Sequence, residues 1–265
     1  ILQHNLEQLR HNDIKDVILV VGYLQEYIKR FLENFTEFNF QFVIQNEQLG
    51  TGHALLKTKN LIENENFMII YGDDFYHRND IKKCLNNDLC VTAKEVEDPE
   101  RFGIFMLENG FVKDLVEKPQ NSISNLANTG LYVLSKDIFS FLGNIGKSQR
   151  NEFELTDAIL HMSKEHDIKC EITNNWIPIG YPWDLLTANE TKMKELDSEI
   201  DDTSFIDKNV TMQGIVKIGK NTKIKSGVFL EGPVIIGGNC VIGPNCYIRP
   251  NSVIGDECRI GNAVE

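Results

Sequence analysis

The last 60 or so residues of the chain carry a hydrophobic repeat with a period of six. Large aliphatic side chains recur in unbroken register at Ile206, Met212, Ile218, Ile224, Leu230, Ile236, Ile242, Ile248, Ile254 and Ile260. A smaller residue follows each of them four positions later, and a glycine often comes directly after the aliphatic residue. A period of six fits neither an α-helix, with about 3.6 residues per turn, nor a single strand, with about two. The repeat therefore predicts a triangular solenoid in which each hexad forms one flat side and one corner.

These hexads resemble the hexapeptide repeats that form left-handed β-helices, in which three hexads make one coil. Three of the six cysteines, Cys240, Cys246 and Cys258, occupy the small inward position of the repeat. Packing therefore explains them better than a redox or metal-binding role. None of the six cysteines has zinc-site spacing, which favours a reduced, cytoplasmic protein.

The region before the repeat alternates between strand-like and helix-like segments. Buried strands are predicted at 16–22, 40–44, 67–71 and 89–96, with helices at 24–35, 53–62 and 80–85. Three closely spaced strands near 103–108, 111–116 and 130–134 leave no room for helices between them and predict an antiparallel insertion. Helices follow at about 136–142 and 154–165. This pattern is typical of an α/β domain.

A polar helix predicted from Pro182 to Ile200 separates the two regions. We therefore predict an α/β domain over residues 1–184, a connector helix over 185–203 and a β-helix over 204–265. The chain starts with Ile1 rather than Met and stops at Glu265 within the repeat, so we expect sequence to be missing at both ends.

Composition narrows the possible partners. The formal net charge of −12 would repel nucleic acid and anionic membranes, so neither is an expected partner. Hydrophobic residues make up 42% of the chain and charged residues 25%, as in ordinary soluble domains. No apolar run approaches the roughly 20 residues that a membrane span needs.

Two motifs follow predicted strands. The segment Gln45 to Ala54 (QNEQLGTGHA) opens a helix, and its glycines let the backbone approach a ligand closely. The Gln45 amide carries a donor and an acceptor, so it can read the edge of a pyrimidine base. Asp73 and Asp74 follow a glycine at the end of the third strand, where a carboxylate is well placed to hold Mg²⁺. A plain turn remains the alternative for Asp74.

Six short motifs in this order resemble those of the sugar-1-phosphate nucleotidylyltransferases. The two motifs above are followed by Arg101-Phe-Gly-Ile104, Val116-Glu-Lys-Pro119, Asn128-Thr-Gly130 and Glu152-Phe-Glu-Leu-Thr-Asp157. With the hexapeptide repeats, the chain resembles glucose-1-phosphate thymidylyltransferases and N-acetylglucosamine-1-phosphate uridylyltransferases. The resemblance implies a Rossmann-like α/β domain with a mixed sheet, followed by a left-handed parallel β-helix.

The resemblance also implies roles for individual residues. Gln45, Gly50 and Thr51 would hold the base of UTP or dTTP, and Asp73 would bind Mg²⁺. Gly103, Glu117 and Asn128 would hold the sugar, and Lys118 its phosphate. An exposed Glu117–Lys118 ion pair of little energetic value is the plain alternative. The implied reaction joins a nucleoside triphosphate to glucose 1-phosphate or N-acetylglucosamine 1-phosphate and releases pyrophosphate, with Asp73 and Lys118 as the catalytic residues.

The sequence departs from the family pattern in two places. The family carries an N-terminal glycine-rich loop with an arginine, which cradles the triphosphate, and a Lys-Pro further on. Ile1 resembles the residue just after that Lys-Pro, so we expect the loop to be missing from this sequence. In the family pattern Trp-x-Asp-x-Gly the aspartate is a second metal ligand, but here Trp176 to Gly180 has Pro178 at that place. Asp184 lies nearby, and its position predicts a helix first-turn acid instead.

Two alternative functions stay open at this point. Pro178 and the missing loop favour a non-catalytic sugar-nucleotide-sensing or assembly subunit. A hexapeptide acetyltransferase is the other alternative, although no histidine follows His166 to act as a general base in the repeat. Hexapeptide domains commonly associate side by side, so the resemblance also implies a homo-oligomer, with a trimer favoured, formed through residues 205–265.

Overall fold

The computed structural model describes residues 1–121, 124–148 and 150–265. The chain divides into two compact units, Ile1–Pro178 and Ile179–Glu265. The helices of the first unit are α1 (Leu2–Arg10), α2 (Gln25–Leu32), α3 (Thr51–Leu56), α4 (Arg78–Leu85), α5 (Ile138–Leu142) and α6 (Leu155–Met162). Its strands are β1 (Asp16–Val21), β2 (Asn39–Ile44), β3 (Asn66–Ile70), β4 (Cys90–Glu95), β5 (Gly103–Glu108), β6 (Phe111–Glu117), β7 (Leu126–Ser135) and β8 (Lys169–Ile172).

Six strands of the first unit form one mixed sheet in the order β3, β7, β4, β8, β6, β5. β4 and β8 are parallel, whereas β7 runs antiparallel to β3, β4 and β5. β5 and β6 also pair antiparallel, which confirms the predicted antiparallel insertion. β1 and β2 form a separate parallel pair, and β1 is only half-buried apart from Val21, although all but the first of its residues are apolar.

Apolar side chains cover both faces of the six-stranded sheet. Alternation along β4 sends Val91 into one core with helices α5 and α6, and Cys90 into another core with helices α1 and α4. Tyr132 and Leu131 of β7 divide between the same two cores. The six-stranded sheet is therefore buried between two hydrophobic cores.

The second unit contains one helix, α7 (Asp184–Met193), among its described residues, followed by short strands. The strands are β9 (Glu199–Ile200), β10 (Phe205–Ile206), β11 (Thr211–Gln213), β12 (Val216–Ile218), β13 (Lys223–Ile224), β14 (Phe229–Glu231), β15 (Val234–Ile236), β16 (Val241–Ile242), β17 (Tyr247–Ile248), β18 (Ser252–Ile254) and β19 (Arg259–Ile260). They stack as three parallel sheets, one for each side of a prism. The predicted β-helix is therefore confirmed.

The hexad pattern places residues in the solenoid as expected. Ile224, Leu230 and Ile242 have no exposed surface, and Cys240 and Cys246 fill small inward positions. The side chains of Ser204, Thr222 and Cys240 also make an unexpected ladder along one corner. Each donates to a glycine carbonyl 15 residues further on, at Gly219, Gly237 and Gly255, over 2.9, 2.7 and 3.0 Å.

Several predicted boundaries differ from the structure. The helix predicted at 53–62 ends at Leu56, and the strand predicted at 130–134 spans Leu126–Ser135. Helix α1 and strand β8 lie outside the predicted elements. The helix predicted from Pro182 to Ile200 ends at Met193, because β9 instead pairs with Lys217 and Ile218 as the first rung of the solenoid. Ile200 continues the period of six by one step before Ile206. Among the described residues, we find no helix with both the length and the apolar surface that a membrane crossing would require.

Candidate active site

The loop after β2 places Gln45 and Gly50 in contact. The Gln45 side-chain nitrogen donates to the Gly50 carbonyl over 3.2 Å and lies 2.9 Å from His53 Nδ1. Gly50 has a φ of +98°, and a Cβ at this position would lie 2.6 Å from the Phe153 carbonyl oxygen. Only glycine fits both the backbone angle and this close approach.

A segment about 100 residues further along the chain closes this loop from the other side. The amides of Gly52 and Phe153 donate to the carbonyls of Phe153 and Leu49, each over 2.8 Å. The Leu155 amide donates to Thr51 Oγ1 over 3.1 Å. Two of the six sequence motifs are therefore joined by hydrogen bonds, and the three residues predicted for the base lie on one anchored loop.

The residues predicted for the sugar also lie together. Gly103 of β5 pairs with Glu117 of β6, and a Cβ on Gly103 would lie 2.9 Å from Glu117 Oε2 and 3.6 Å from Asn128 Cβ. Glycine at 103 thus leaves open the space between a carboxylate and an amide. Asn128 Nδ2 donates to the Tyr132 hydroxyl over 2.6 Å, and Asn128 Oδ1 accepts from the Gly130 amide over 3.1 Å.

A cation that the sequence motifs do not predict lies beside Glu117. Arg150 contacts the carboxylates of Glu117, Glu152 and Glu154 at 3.4, 3.4 and 3.6 Å. Burial raises the pKa of Glu117, and repulsion from Glu154 adds to this, whereas Lys118 and Arg150 oppose the shift. Arg150 lies two positions before the motif that starts at Glu152. This closeness to a motif is the sequence signal that could have identified Arg150.

Tyr71 lies between two groups of residues: the loop from Gln45 to Thr51, called the base loop, and the three residues predicted for the sugar, called the sugar residues. Its hydroxyl accepts from the Tyr132 hydroxyl over 3.5 Å, and Tyr132 in turn accepts from Asn128. Thr51 lies close enough to lower the pKa of Tyr71, against the larger effect of burial. Burial raises the pKa of Tyr71, so this hydroxyl stays protonated. Gly130 has a φ of +75°, and a Cβ at this position would overlap the Tyr71 ring. Base loop and sugar residues therefore form one connected site.

The predicted metal-binding turn follows Tyr71. Asp73 is exposed, and the space beside Gly72 is open, with nothing within 4 Å of a Cβ built there. Asp74 instead accepts a hydrogen bond from Trp176 Nε1 over 3.0 Å, so it holds structure. Phe75 and Ile177 exchange backbone hydrogen bonds of 3.0 Å, and this antiparallel bridge brings Pro178 alongside Asp74.

Of Asp73, Asp74 and Asp184, all within the described residues, Asp73 is the exposed carboxylate that could hold Mg²⁺. Asp184 does not, because its Oδ2 accepts from the amides of Gly180 and Tyr181 over 2.9 and 2.7 Å, which makes it the expected helix-start acid. No group of three or more His, Cys, Asp or Glu side chains suited to a metal occurs within 1–121, 124–148 and 150–265. Mg²⁺ often takes one or two carboxylates and completes its shell with phosphate and water. The exposed Asp73 fits that kind of site.

Lys118 is exposed at the end of β6, and its backbone amide donates to the Phe102 carbonyl over 2.9 Å. Its φ of +46° is unusual for a residue other than glycine. Lys118 and Asp73 both lie among the described residues and form no ion pair with each other, so the structure does not show these two predicted catalytic residues in contact.

Comparison with protein families gives two matches. Residues 1–195 match the model described as nucleotidyl transferase, and residues 233–265 match that of the bacterial transferase hexapeptide with six repeats. The first match includes every residue discussed in this site.

Two of the curated relatives are about one third identical to this chain. The bifunctional protein GlmU of Methanocaldococcus jannaschii is 36% identical over 221 residues, which cover 82% of this chain and 52% of that protein. The bifunctional sugar-1-phosphate nucleotidylyltransferase/acetyltransferase of Sulfurisphaera tokodaii is 35% identical over 243 residues, covering 87% and 57%. The chain thus spans about half the length of the curated relatives that it matches.

Solved structures share the fold. A protein assigned as a glucose-1-phosphate thymidylyltransferase from Bacillus anthracis has a TM-score of 0.64 and 24% identity, covering 75% of this chain and 84% of that one. A UDP-glucose pyrophosphorylase gives the same score and identity over 74% and 87%. The family match over residues 1–195, on a fold that these proteins share, shows that the chain belongs to the nucleotidyl transferase family.

Proposed function

We propose that the chain is a sugar-1-phosphate nucleotidylyltransferase, which joins UTP or dTTP to glucose 1-phosphate or N-acetylglucosamine 1-phosphate and releases pyrophosphate. The observation that carries this proposal is the segment from Arg150 to Leu155, which contacts Glu117 through Arg150 and hydrogen-bonds to the base loop through Phe153 and Leu155. The names of the curated relatives, which include sugar-1-phosphate nucleotidylyltransferase, support the same reaction.

The anchored loop would bind the nucleotide, with Gln45 facing the base edge and Gly50 letting the backbone approach it. The carboxylate of Glu117 and the amide of Asn128 would hold sugar hydroxyls in the space that Gly103 leaves open. A nucleoside triphosphate and a sugar 1-phosphate would then lie on either side of Tyr71. Such positioning removes much of the entropic barrier to a reaction between two substrates.

The reaction would proceed by attack of a sugar-phosphate oxygen on the α-phosphorus, with pyrophosphate leaving along the opposite direction. Lys118 and Arg150 are the cations close to Glu117, and they would hold the negative charge of the sugar phosphate. Mg²⁺ bound beside Asp73 would supply further charge neutralisation at the nucleotide phosphates. Positioning and electrostatic stabilisation would thus account for catalysis.

The test is product analysis of the complete gene product that carries this chain. The protein would be mixed with Mg²⁺, UTP or dTTP, and each sugar 1-phosphate in turn. We expect stoichiometric pyrophosphate and nucleotide sugar, measured by phosphorus NMR and chromatography. Failure of all four combinations to release pyrophosphate would contradict the proposal.

Pro178 favours a second candidate, a subunit that binds sugar nucleotides without making them. Proline offers no side-chain oxygen at the place beside Asp74 where the family pattern has a metal ligand. In that case the protein would bind a UDP-sugar or dTDP-sugar in a calorimetric titration but release no pyrophosphate. Binding together with turnover would exclude this second candidate.

We also propose a cytoplasmic homo-oligomer, with a trimer favoured, formed through the β-helix. The six free cysteines support a reducing compartment. Outward apolar residues of the solenoid, such as Val253, which is 53% exposed, support association along its sides.

A further inference from the structure

Strand β7 carries a bulge directly after Asn128. The pairing of β4 with β7 shifts at this point, so that one residue of β4 lies opposite three residues of β7. The middle residue of the three is Gly130, with a φ of +75°. A bulge interrupts the regular hydrogen bonds of a sheet and commonly redirects a side chain near an active site. The backbone groups of this bulge must therefore find partners outside the ladder.

The peptide group between Thr129 and Gly130 holds the Asn128 side chain. The Gly130 amide donates to Asn128 Oδ1 over 3.1 Å. The Thr129 carbonyl, which belongs to the same planar group, accepts from the Tyr76 hydroxyl over 2.6 Å. Because the carbonyl and the N–H of a trans peptide point in opposite directions, Tyr76 and the Asn128 oxygen lie on opposite sides of this group. The orientation of one peptide plane thus decides both hydrogen bonds.

Helix α1 holds the backbone around Tyr76. Tyr76 is 1% exposed and belongs to the core that contains α1 and α4. His4 Nε2 donates to the Tyr76 carbonyl over 2.6 Å, and Asn5 Nδ2 donates to the Asp74 carbonyl over 2.8 Å. The Tyr76 hydroxyl is therefore fixed where it meets the Thr129 carbonyl.

We infer that Tyr76 is a positioning residue for the sugar, because through this peptide group it sets the orientation in which Asn128 meets a sugar hydroxyl. After its bonds to Tyr132 and Gly130, Asn128 keeps one hydrogen on Nδ2 and one lone pair on Oδ1. This pair of atoms suits a hydroxyl, which both donates and accepts. The inference rests on the proposed function and adds a residue from the turn after β3 to its sugar site.

The hydroxyl of Tyr76 matters because glycine follows the peptide that it holds. Glycine adopts positive and negative φ with similar ease, so without that hydroxyl the peptide before Gly130 can turn over. Its carbonyl would then face Asn128 Oδ1, and two acceptors would meet without a hydrogen between them. The Asn128 amide would rotate away from the orientation that binds the sugar.

The test is the affinity for glucose 1-phosphate and N-acetylglucosamine 1-phosphate, measured by calorimetric titration of the complete gene product that carries this chain. Tyr76→Phe removes the hydroxyl and keeps the ring. We expect the sugar phosphate that the wild type binds more tightly to lose about tenfold in affinity, as the loss of one hydrogen bond implies. Affinity for UTP or dTTP should stay within about twofold, because the base loop shares no hydrogen bond with Tyr76.

A double-mutant cycle with Asn128→Ala separates positioning from general damage. If Tyr76 acts through Asn128, Tyr76→Phe should weaken sugar binding little further once the Asn128 side chain is gone. Hydrogen exchange gives a second measurement, since the Gly130 amide should exchange faster when its peptide no longer donates to Asn128. Tyr27→Phe, which removes the hydroxyl of an exposed tyrosine in α2, is the matched control and should change neither measurement.

A folded Tyr76→Phe variant with unchanged affinity for both sugar phosphates would overturn the inference. An equal loss of nucleotide and sugar-phosphate affinity would do the same, as would additive losses in the double variant. If the phenylalanine variant does not fold, Tyr76→Met, which also lacks a donor, takes its place. In each case continued formation of nucleotide sugar by the wild type would leave the proposed function standing. A wild type that binds neither sugar phosphate and releases no pyrophosphate would contradict the proposed function, and the inference with it.

Discussion

Asp73 is the residue on which the proposed metal site depends. Asp73→Ala should lower the rate of nucleotide-sugar formation by about 10²-fold or more. The reason is that Mg²⁺, which would neutralise the charge of the nucleotide phosphates, loses its carboxylate ligand. Steady-state rates and the unfolding midpoint are the measurements. Asp88→Ala, an exposed aspartate after α4, is the matched control. A variant with activity within a few-fold of wild type would remove Asp73 from the metal site.

Pro178 leads to an opposite prediction, a gain of function. The wild type should turn over slowly, because one carboxylate is missing from the metal site. Pro178→Asp should raise kcat or lower the Mg²⁺ concentration needed for half-maximal activity, since the bridge between Phe75 and Ile177 brings position 178 alongside Asp74. A wild-type kcat in the usual range of about 1–10³ s⁻¹ would mean that another group supplies the ligand.

Glu117 should make the affinity for the sugar 1-phosphate fall at acid pH. Burial raises the pKa of this carboxyl, so it takes up a proton at a higher pH than an ordinary glutamate. The carboxylate that accepts from sugar hydroxyls is therefore lost as the pH falls through that raised pKa. Affinity for the sugar 1-phosphate should weaken over this interval in the wild type. In Glu117→Gln, which has no proton to gain, only the titration of the phosphate itself should remain.

Residue roles could be predicted from the sequence only where a motif contains them. Gly103, Glu117 and Asn128 belong to three separate motifs, and the structure places them side by side. Arg150 and Tyr132 lie outside the core of any motif. Their importance depends on the contacts that β7 and the segment before α6 make, which no local pattern encodes.

At the scale of single elements, the corner ladder of the solenoid makes a stability prediction. Thr222 Oγ1 donates to the Gly237 carbonyl and accepts from the Cys240 amide over 3.0 Å, with no exposed surface. Thr222→Val keeps the shape of the side chain but leaves the Gly237 carbonyl and the Cys240 amide without this hydrogen-bond partner. The free energy of unfolding should therefore fall by about 1–3 kcal/mol. Denaturant titration measures this change. Thr222→Ser, which keeps the hydroxyl, should lose less, and equal losses would contradict the role of the ladder.

Some helices and strands are easier to predict from the sequence than others, because the hydrophobic pattern repeats more often in some of them. The solenoid repeats one pattern many times, so each hexad supports the next. Strand β8 has four residues and is defined by its pairing with β4, so its sequence alone does not identify it. The end of α7 was misplaced for a related reason, since the pairing of β9 with β12 decides where the helix stops.

For the molecule as a whole, the β-helix should determine the assembly state. Light scattering should show an oligomer for the whole chain and a monomer for a chain that ends near Ile200. The reason is that the shortened chain lacks the outward-facing residues of the solenoid, while its α/β unit keeps its own core. A monomeric whole chain would contradict the proposed interface. The same oligomer for both chains would place the contacts in the α/β unit.

The hydrogen bonds between the loop after β2 and the segment before α6 also affect how the protein is made. Solenoid neighbours such as Thr222 and Cys240 are 18 residues apart, whereas Thr51 and Leu155 are 104 apart. A ribosome that adds about 5–20 residues per second joins the first pair within roughly 1–4 s and the second within roughly 5–20 s. The loop therefore emerges early and waits for its partner through most of the synthesis of its own domain. Nascent chains halted before residue 153 would leave it open to proteases, and those halted well beyond residue 155 would protect it.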